Sequence, residues 1–171
     1  MIREYTAYYL EITDPNDVTI DQSISENIQF KRLTDPLPLV NQSFYLKIGS
    51  DWNWIDRKFW TIDQWQAYAN QTELETWIVH YDGLPAGYFE LLHEPKQTVQ
   101  IAYLGLFSEY TGKGIGKFIT GFAIHRAFTS GAKRVWLSTC SLDHPAALKT
   151  YLKCGFKIVR DKTVRKDFPE K

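Results

Sequence analysis

Hydrophobic and polar positions recur along the chain with two periods, and these place most of its elements. "EYTAYYLEI" predicts a first strand, "ISENIQFKRL" is an ambiguous strand, and "LPLVNQSFYLKIG" predicts a helix that Gly49 stops. "TIDQWQAYAN" opens on Thr61, whose hydroxyl suits an N-cap, and predicts a second helix. "ETWIVHYDGLPAGYFELLHE" holds two β-rich runs around Asp82-Gly83, the composition of a hairpin. "TVQIAYLGLF" follows the turn "EPKQ", so three antiparallel strands form a meander. Ile115, Phe118, Ile119, Phe122, Ala123, Ile124, Ala127 and Phe128 then lie mainly on one side of a helix, which Gly131 ends. "KRVWLSTC" has the composition of a fully buried strand. "HPAALKTYLKC" predicts a helix with Pro145 in its first turn and Gly155 at its end, and "FKIVRDKTVR" a last strand. Strand, helix, strand, helix, strand after a meander predicts a mixed α/β (α+β) sheet.

Composition narrows the function classes. The 171 residues are 44% hydrophobic, enough for one domain spanning 1–171 with a full core. With 20 basic and 20 acidic residues there is no net field to draw the chain to nucleic acid or an anionic membrane, and "KIVRDKTVRK" reads as a solvated strand face. No 18-residue apolar run exists, and "MIREYTAYYLEI" lacks the apolar core of a signal peptide, so a cytoplasmic location is expected. Cys140 and Cys154 lack C-x-x-C spacing or a His cluster. The expectation is two reduced thiols, at least one of them buried, with no disulfide framework and no metal.

The chemistry concentrates in "EYTGKGIGKF", residues 109–118. A strand, a glycine-rich turn and a helix N-terminus bring several N–H groups and a partial positive charge to one point, which suits a phosphate. An ATP-type P-loop is excluded: one residue too few separates Gly112 from Gly116, and Phe118 stands where a magnesium-binding hydroxyl is needed. The dinucleotide fingerprint requires glycine at Lys117 and an acidic residue in the following strand, and neither is present.

The run "YLGLFSEYTGKGIGKFI" resembles the pyrophosphate motif [RQ]-x-x-G-x-[GA] of the GNAT superfamily of acetyl-CoA-dependent N-acetyltransferases, read here from Thr111 to Gly116. A second superfamily signature, N-x-x-A-x-x-x-Y-x-x-x-G-F, is matched by His144, Ala147, Tyr151, Gly155 and Phe156. "TCSLDHPAAL" is similar to the helix entry of a bacterial subgroup of that superfamily. The resemblance implies a mostly antiparallel sheet splayed around the cofactor, with helices on both faces. It also implies that backbone groups at Leu104, Leu106 and Phe107 pair with the pantetheine arm. Gly112, Lys113, Gly114, Ile115, Gly116 and Lys117 would then hold the pyrophosphate, and His144 would contact the cofactor; on local grounds alone, Asp143 or His144 instead caps the helix.

The same resemblance implies direct attack of an amine on the thioester, with Tyr151 as acid for the departing thiolate. Many members carry a glutamate eleven residues before the motif. Here that position is Gln100, which can hold a water but cannot take a proton, so Glu90 on the neighbouring strand is the replacement candidate, ahead of His80 and His93. In "SDWNWIDRKFW", Trp52, Trp54 and Arg57 either form an acceptor wall with one anion-binding fork or fill the core, where Asp51 and Asp56 can hold Arg57. The expected partner is a small-molecule or peptide amine, and a homodimer is compatible. A catalytically silent acetyl-CoA-binding module is the alternative that Gln100 and Thr111 raise.

Overall fold

A computed structural model describes residues 1–19 and 25–169 of the chain; Ile24, inside the ambiguous strand segment, lies outside the described residues. The strands are β1 (Ile2–Ile12), β2 (Ile28–Arg32), β3 (Leu74–Tyr81), β4 (Leu84–Glu94), β5 (Thr98–Leu106), β6 (Arg134–Cys140) and β7 (Lys157–Asp167). The helices are α1 (Pro38–Trp52), α2 (Ile62–Ala69), α3 (Ile115–Thr129) and α4 (Ala147–Lys153). Among the described residues they form one seven-stranded sheet in the order β2-β3-β4-β5-β6-β1-β7, antiparallel everywhere except between β5 and β6.

Local chemistry explains the meander. Asp82 and Gly83 both have positive φ, 49° and 81°, as a two-residue turn matching strand twist requires. Lys96 and Gln97, at φ 61° and 54°, make the next turn without glycine. Thr61 and Gln64 form a full capping box at the start of α2.

Three local expectations are corrected. Gly49 does not stop α1, which runs on to Trp52 and ends at left-handed Asn53. Gly49 is there for contact: a Cβ on it would stand 2.6 Å from the Trp54 Cβ, and its carbonyl accepts the Trp54 N–H. α4 begins at Ala147, after Pro145, because Asp143 accepts instead from the Thr139 hydroxyl and the Cys140 N–H, while His144 Nδ1 accepts from the Ala146 N–H. β6 is not buried throughout. It alternates, with Val135, Leu137 and Thr139 inside and Ser138 exposed.

The N-terminal strand is threaded into the far half of the sheet, between β6 and β7, with Ala7 opposite Cys140 and Tyr5 opposite Val164. β7 is therefore the outer edge, and its charged, exposed residues are the usual guard of an unpaired edge.

The two faces are covered differently. α3 and α4 pack on an apolar layer that includes Leu10, Phe89, Leu91, Val99, Ile101, Ile119, Ile124 and Leu137. α1 and α2 cover the other face, where Tyr45, Ile48, Trp65 and Tyr88 surround buried Arg57 and Glu90.

Candidate active site

Only Thr98, Val99 and Gln100 of β5 pair with β6, opposite Arg134, Val135 and Trp136. Beyond that point the two parallel strands diverge, and a cleft of about 670 Å³ opens between Ile101–Leu106 and Leu137–Cys140. The divergence begins at a register shift in the β4–β5 ladder, where Glu90 faces Tyr103 but Leu91 faces Ile101, leaving Ala102 as an extra residue. Beyond Gln100, the backbone polar groups of β5 on the β6 side face the cleft instead of a neighbouring strand. Phe107 donates its N–H to Ala86 and accepts from Tyr110, so strand alternation turns the free groups at Leu104 and Leu106 into the gap. Phe107 itself, expected to pair with a ligand, is closed at both backbone groups.

At one end of the cleft stands the glycine loop. Gly112 and Gly114 have φ of 75° and 77°, a left-handed conformation that other residues enter only with strain. A Cβ at Gly112, Gly114 or Gly116 would meet nothing within 4 Å. These glycines therefore leave room for a ligand rather than for protein. Gly114 is the N-cap of α3 and offers no side-chain acceptor, so the first-turn N–H groups point outward as donors. Ile115 contributes only its backbone, because its side chain is buried in the core. Lys117 lines the cleft, while Lys113 sits over the Tyr81 and Tyr110 rings at 5.6 and 5.7 Å, outside it. The open cradle, the outward amides and the free strand edge fit a pyrophosphate with an extended amide-bearing arm.

Tyr151 lines the cleft from α4, its ring edge-on to Phe156. Burial, reinforced by the charge of Asp143, pushes its phenol well above the ordinary tyrosine range, so it carries its proton throughout the neutral region. His144 also lines the cleft, with its ring 4.6 Å from that of Trp52. Its Nδ1 accepts from a backbone N–H, which leaves Nε2 as the protonated nitrogen of the neutral ring.

The expected base candidates are elsewhere. Gln100 sits on the last closed rung of the sheet, outside the cleft lining. Glu90 is 0% exposed. Its carboxylate accepts from Arg57 Nη1 at 2.9 Å, Asn41 Nδ2 at 2.6 Å and the Tyr68 hydroxyl at 3.2 Å. Burial alone would lower the Arg57 pKa, but the Glu90 charge together with Tyr68 and Tyr103 outweighs it and raises the value. Five rings surround the guanidinium, from Tyr68 at 3.9 Å and Tyr103 at 4.4 Å to Trp65 at 6.0 Å. The fork of Arg57 is thus engaged inside the protein, held by Glu90 rather than by Asp51 or Asp56. Of the weaker candidates, His93 contacts Glu75 at 3.2 Å, and His80 lies on β3; neither lines the cleft.

Trp52 and Trp54 do line the cleft, on the side of α1. With them are residues that the sequence did not single out as a site: Asp56 from the α1–α2 connection, Tyr103 from β5, Tyr5 from β1, and Lys162 and Lys166 from β7. The signal for Asp56 was its place in the aromatic segment, but Tyr5 and Lys166 join it only because β1 lies inside the far half of the sheet. No group of three or more His, Cys, Asp or Glu residues suited to a metal occurs among the described residues. Nor is any described helix long and apolar enough to cross a membrane.

Residues 38–156 match the sequence model of the acetyltransferase (GNAT) family. Among solved structures, a GCN5-related N-acetyltransferase from Kribbella flavida superposes with a TM-score of 0.67 at 15% identity, covering 99% of this chain and 61% of that one. A second, from Sphaerobacter thermophilus, gives 0.67 at 16% identity, with 96% and 52% covered. An aminoglycoside acetyltransferase from an uncultured soil metagenomic sample, in complex with sisomicin, gives 0.62 at 14% identity, with 77% and 90% covered. The chain thus spans about three-fifths of the Kribbella flavida protein and about half of the Sphaerobacter thermophilus one. No curated protein matches the sequence.

Proposed function

As the chain belongs to the acetyltransferase (GNAT) family, we propose that it is an acetyl-CoA-dependent N-acyltransferase that moves an acetyl group to an amine of a small molecule or peptide. The observation that carries this reading is one continuous cleft that joins the Gly112–Gly116 amides, the free edge of β5 and Tyr151. Acetyl-CoA supplies a thioester whose carbonyl carbon is the electrophile and whose sulfur is the leaving group. The first-turn amides of α3 and Lys117 hold the pyrophosphate, and the backbone groups of Leu104 and Leu106 align the pantetheine arm. Tyr151, kept protonated by burial, gives its proton to the departing sulfur.

The acceptor must arrive as a neutral amine. Near pH 7.4, deprotonating a lysine side chain of pKa about 10.4 costs about 4 kcal/mol, against about 0.5 kcal/mol for an α-amine near 7.8. Since neither Glu90 nor Gln100 faces the cleft, the preferred acceptor is an α-amine or another amine of low pKa. Faster thiol release with N-ε-lysine than with α-amines at pH 7.5 refutes this preference.

Thermal unfolding with acetyl-CoA, coenzyme A, ATP and NAD side by side tests the cofactor. A ligand at 100 times its Kd adds about 2.7 kcal/mol, so acetyl-CoA and coenzyme A raise Tm and the other two do not. A silent acetyl-CoA-binding module is the second reading, favoured by the absence of Glu90 and Gln100 from the cleft lining. It predicts the same stabilisation with no thiol release on any amine.

A further inference from the structure

The cleft continues past Tyr151 into the space between the α1–α2 connection and the β1–β7 pair, and one carboxylate stands there with an ammonium already on it. Asp56 Oδ1 accepts from Lys166 Nζ at 2.5 Å, and Asp56 Oδ2 lies 3.5 Å from the Tyr103 hydroxyl. All three residues line the cleft. The Asp56 side chain is 64% exposed, so its oxygens are open to an incoming group as well as to Lys166.

The other candidate proton acceptors of the cleft are otherwise engaged. Asp143 is held by the Thr139 hydroxyl and the Cys140 N–H. His144 takes a backbone proton donor on the one nitrogen that a base would need. Burial raises the Cys140 thiol pKa, with the charge of Asp143 adding to it, so this sulfur keeps its proton. The groups facing Asp56 are Lys166 of β7, Tyr103 of β5 and Tyr5 of β1, with Tyr45 of α1 and Cys140 of β6 behind them.

Asp56 is also held in place from behind. Its neighbour Arg57 is fixed three ways: the backbone N–H donates to the Tyr45 hydroxyl at 3.0 Å, the guanidinium pairs with buried Glu90, and five rings enclose it. A buried cage of that size for a single arginine makes sense if the residue beside it must hold a set position. The cage turns a flexible connection into a rigid mount for one carboxylate.

Resting on the acyltransferase reading above, the geometry points to Asp56 as the group that receives the acceptor's amine, with the Lys166 ammonium holding that place until a substrate displaces it. An exposed ion pair of this kind is weak and exchanges readily. The ammonium of the acceptor replaces that of Lys166, with its organic body against Trp52 and Trp54. One proton passes from the ammonium to the Asp56 carboxylate and on to water. The nitrogen lone pair forms the C–N bond, the thioester C–S bond breaks, and the sulfur takes the Tyr151 proton. The second amine proton restores Tyr151. One ammonium and one thioester thus give one amide, one thiol and one released proton. The acceptor class is an α-amine, or another primary amine of low pKa, on a flat or apolar body.

The probe is L-phenylalaninamide, an α-amine, with N-acetyl-L-phenylalaninamide as the control that lacks an ammonium. Calorimetric titration of the full chain is expected to show binding of the amine and not of the amide. Asp56→Asn should weaken that binding at least tenfold, Asp56→Glu should restore part of it, and Lys166→Met should strengthen it. All three variants should keep the acetyl-CoA thermal shift, and Asp56→Asn should lower kcat/KM for the amine about a hundredfold, as expected for a lost proton acceptor. Equal amine binding by Asp56→Asn and the unaltered protein overturns the inference, as does an unaltered protein that binds no amine. Loss of the acetyl-CoA shift in the unaltered protein would instead strike the cofactor reading, which keeps the two failures apart.

Discussion

On the α3 and α4 side, the sheet meets aliphatic and aromatic side chains such as Leu10, Leu91, Ile119, Ile124 and Val135, each fully buried and replaceable in kind. On the α1 and α2 side, it meets Arg57 and Glu90, bonded to each other and to Asn41 and Tyr68, inside a shell of aromatic rings. The first face is held by area removed from water, a non-directional effect that tolerates exchange of one apolar shape for another. The second is held by directional contacts, and its desolvated charges are stable only while every partner is present. The apolar face carries the helix whose N-terminus forms the glycine loop. The polar face mounts the α1–α2 connection, which brings Asp56 to the cleft. On the proposed reading, the sheet serves a fixed cofactor on one side and a selected acceptor on the other, and each side is packed to match.

The largest effect expected from disturbing this contrast is on the polar face. Glu90→Ala leaves the Arg57 guanidinium buried without a partner and should cost about 3–5 kcal/mol by urea unfolding. Replacing Arg57 and Glu90 together with Met and Leu should recover most of that loss. If the single and the double variants are equally unstable, the ion pair is not what makes this face demanding.

Next in size is Tyr151→Phe, which removes one hydroxyl from the cleft and should lower thiol release about a hundredfold, the range of a lost general acid. The variant should still be stabilised by acetyl-CoA, and full activity would remove Tyr151 from the reaction. Gly114→Ala forces a side chain into φ 77° where no protein atom lies nearby. It should cost about 1–2 kcal/mol of stability and reduce the acetyl-CoA thermal shift by blocking the cradle.

The smallest expected effect concerns Glu75, the buried carboxylate on the α3 side. Burial would raise its pKa, but hydrogen bonds from Arg126 and Trp77 and the Arg126 charge lower it below the ordinary 4.5. A depressed carboxylate contributes stability above its unfolded pKa and loses it as pH falls through the folded value. Unfolding curves between pH 5 and about 2 should therefore show a decline that Glu75→Gln flattens. An unchanged decline would assign the acid sensitivity to other groups.

The meander, the glycine loop, the Thr61 cap and the α4 signature were all readable along the sequence because each is written within a few consecutive residues. Glycine with positive φ, a capping hydroxyl and a period of two or 3.6 are local facts. The site was less legible wherever it depended on pairing across the chain. Glu90 read as an alternating strand carboxylate free to take a proton, whereas it meets Arg57 at a separation of 33 positions. Trp54 and Gly49 illustrate the same limit at short range: a glycine that looked like a helix stop is a contact surface for a ring. Asp56 and Lys166, 110 positions apart, meet only because β1 separates β6 from β7 and sets β7 at the outer edge.

That placement of β1 also governs how the molecule can be made. Met1 and Asp167 are bonded across 166 positions, and β1 pairs with β6 and β7, which are synthesised well after it. Contacts of such long sequence separation close slowly, since the loop entropy is paid before the strand is rewarded. During synthesis β2 through α3 can collapse as a unit while β1 waits as an unpaired, tyrosine-rich strand. The side of the cleft built from β1 and β7 should therefore mature after the meander, and chaperone dependence or slow refolding should trace to the first strand rather than to the glycine loop.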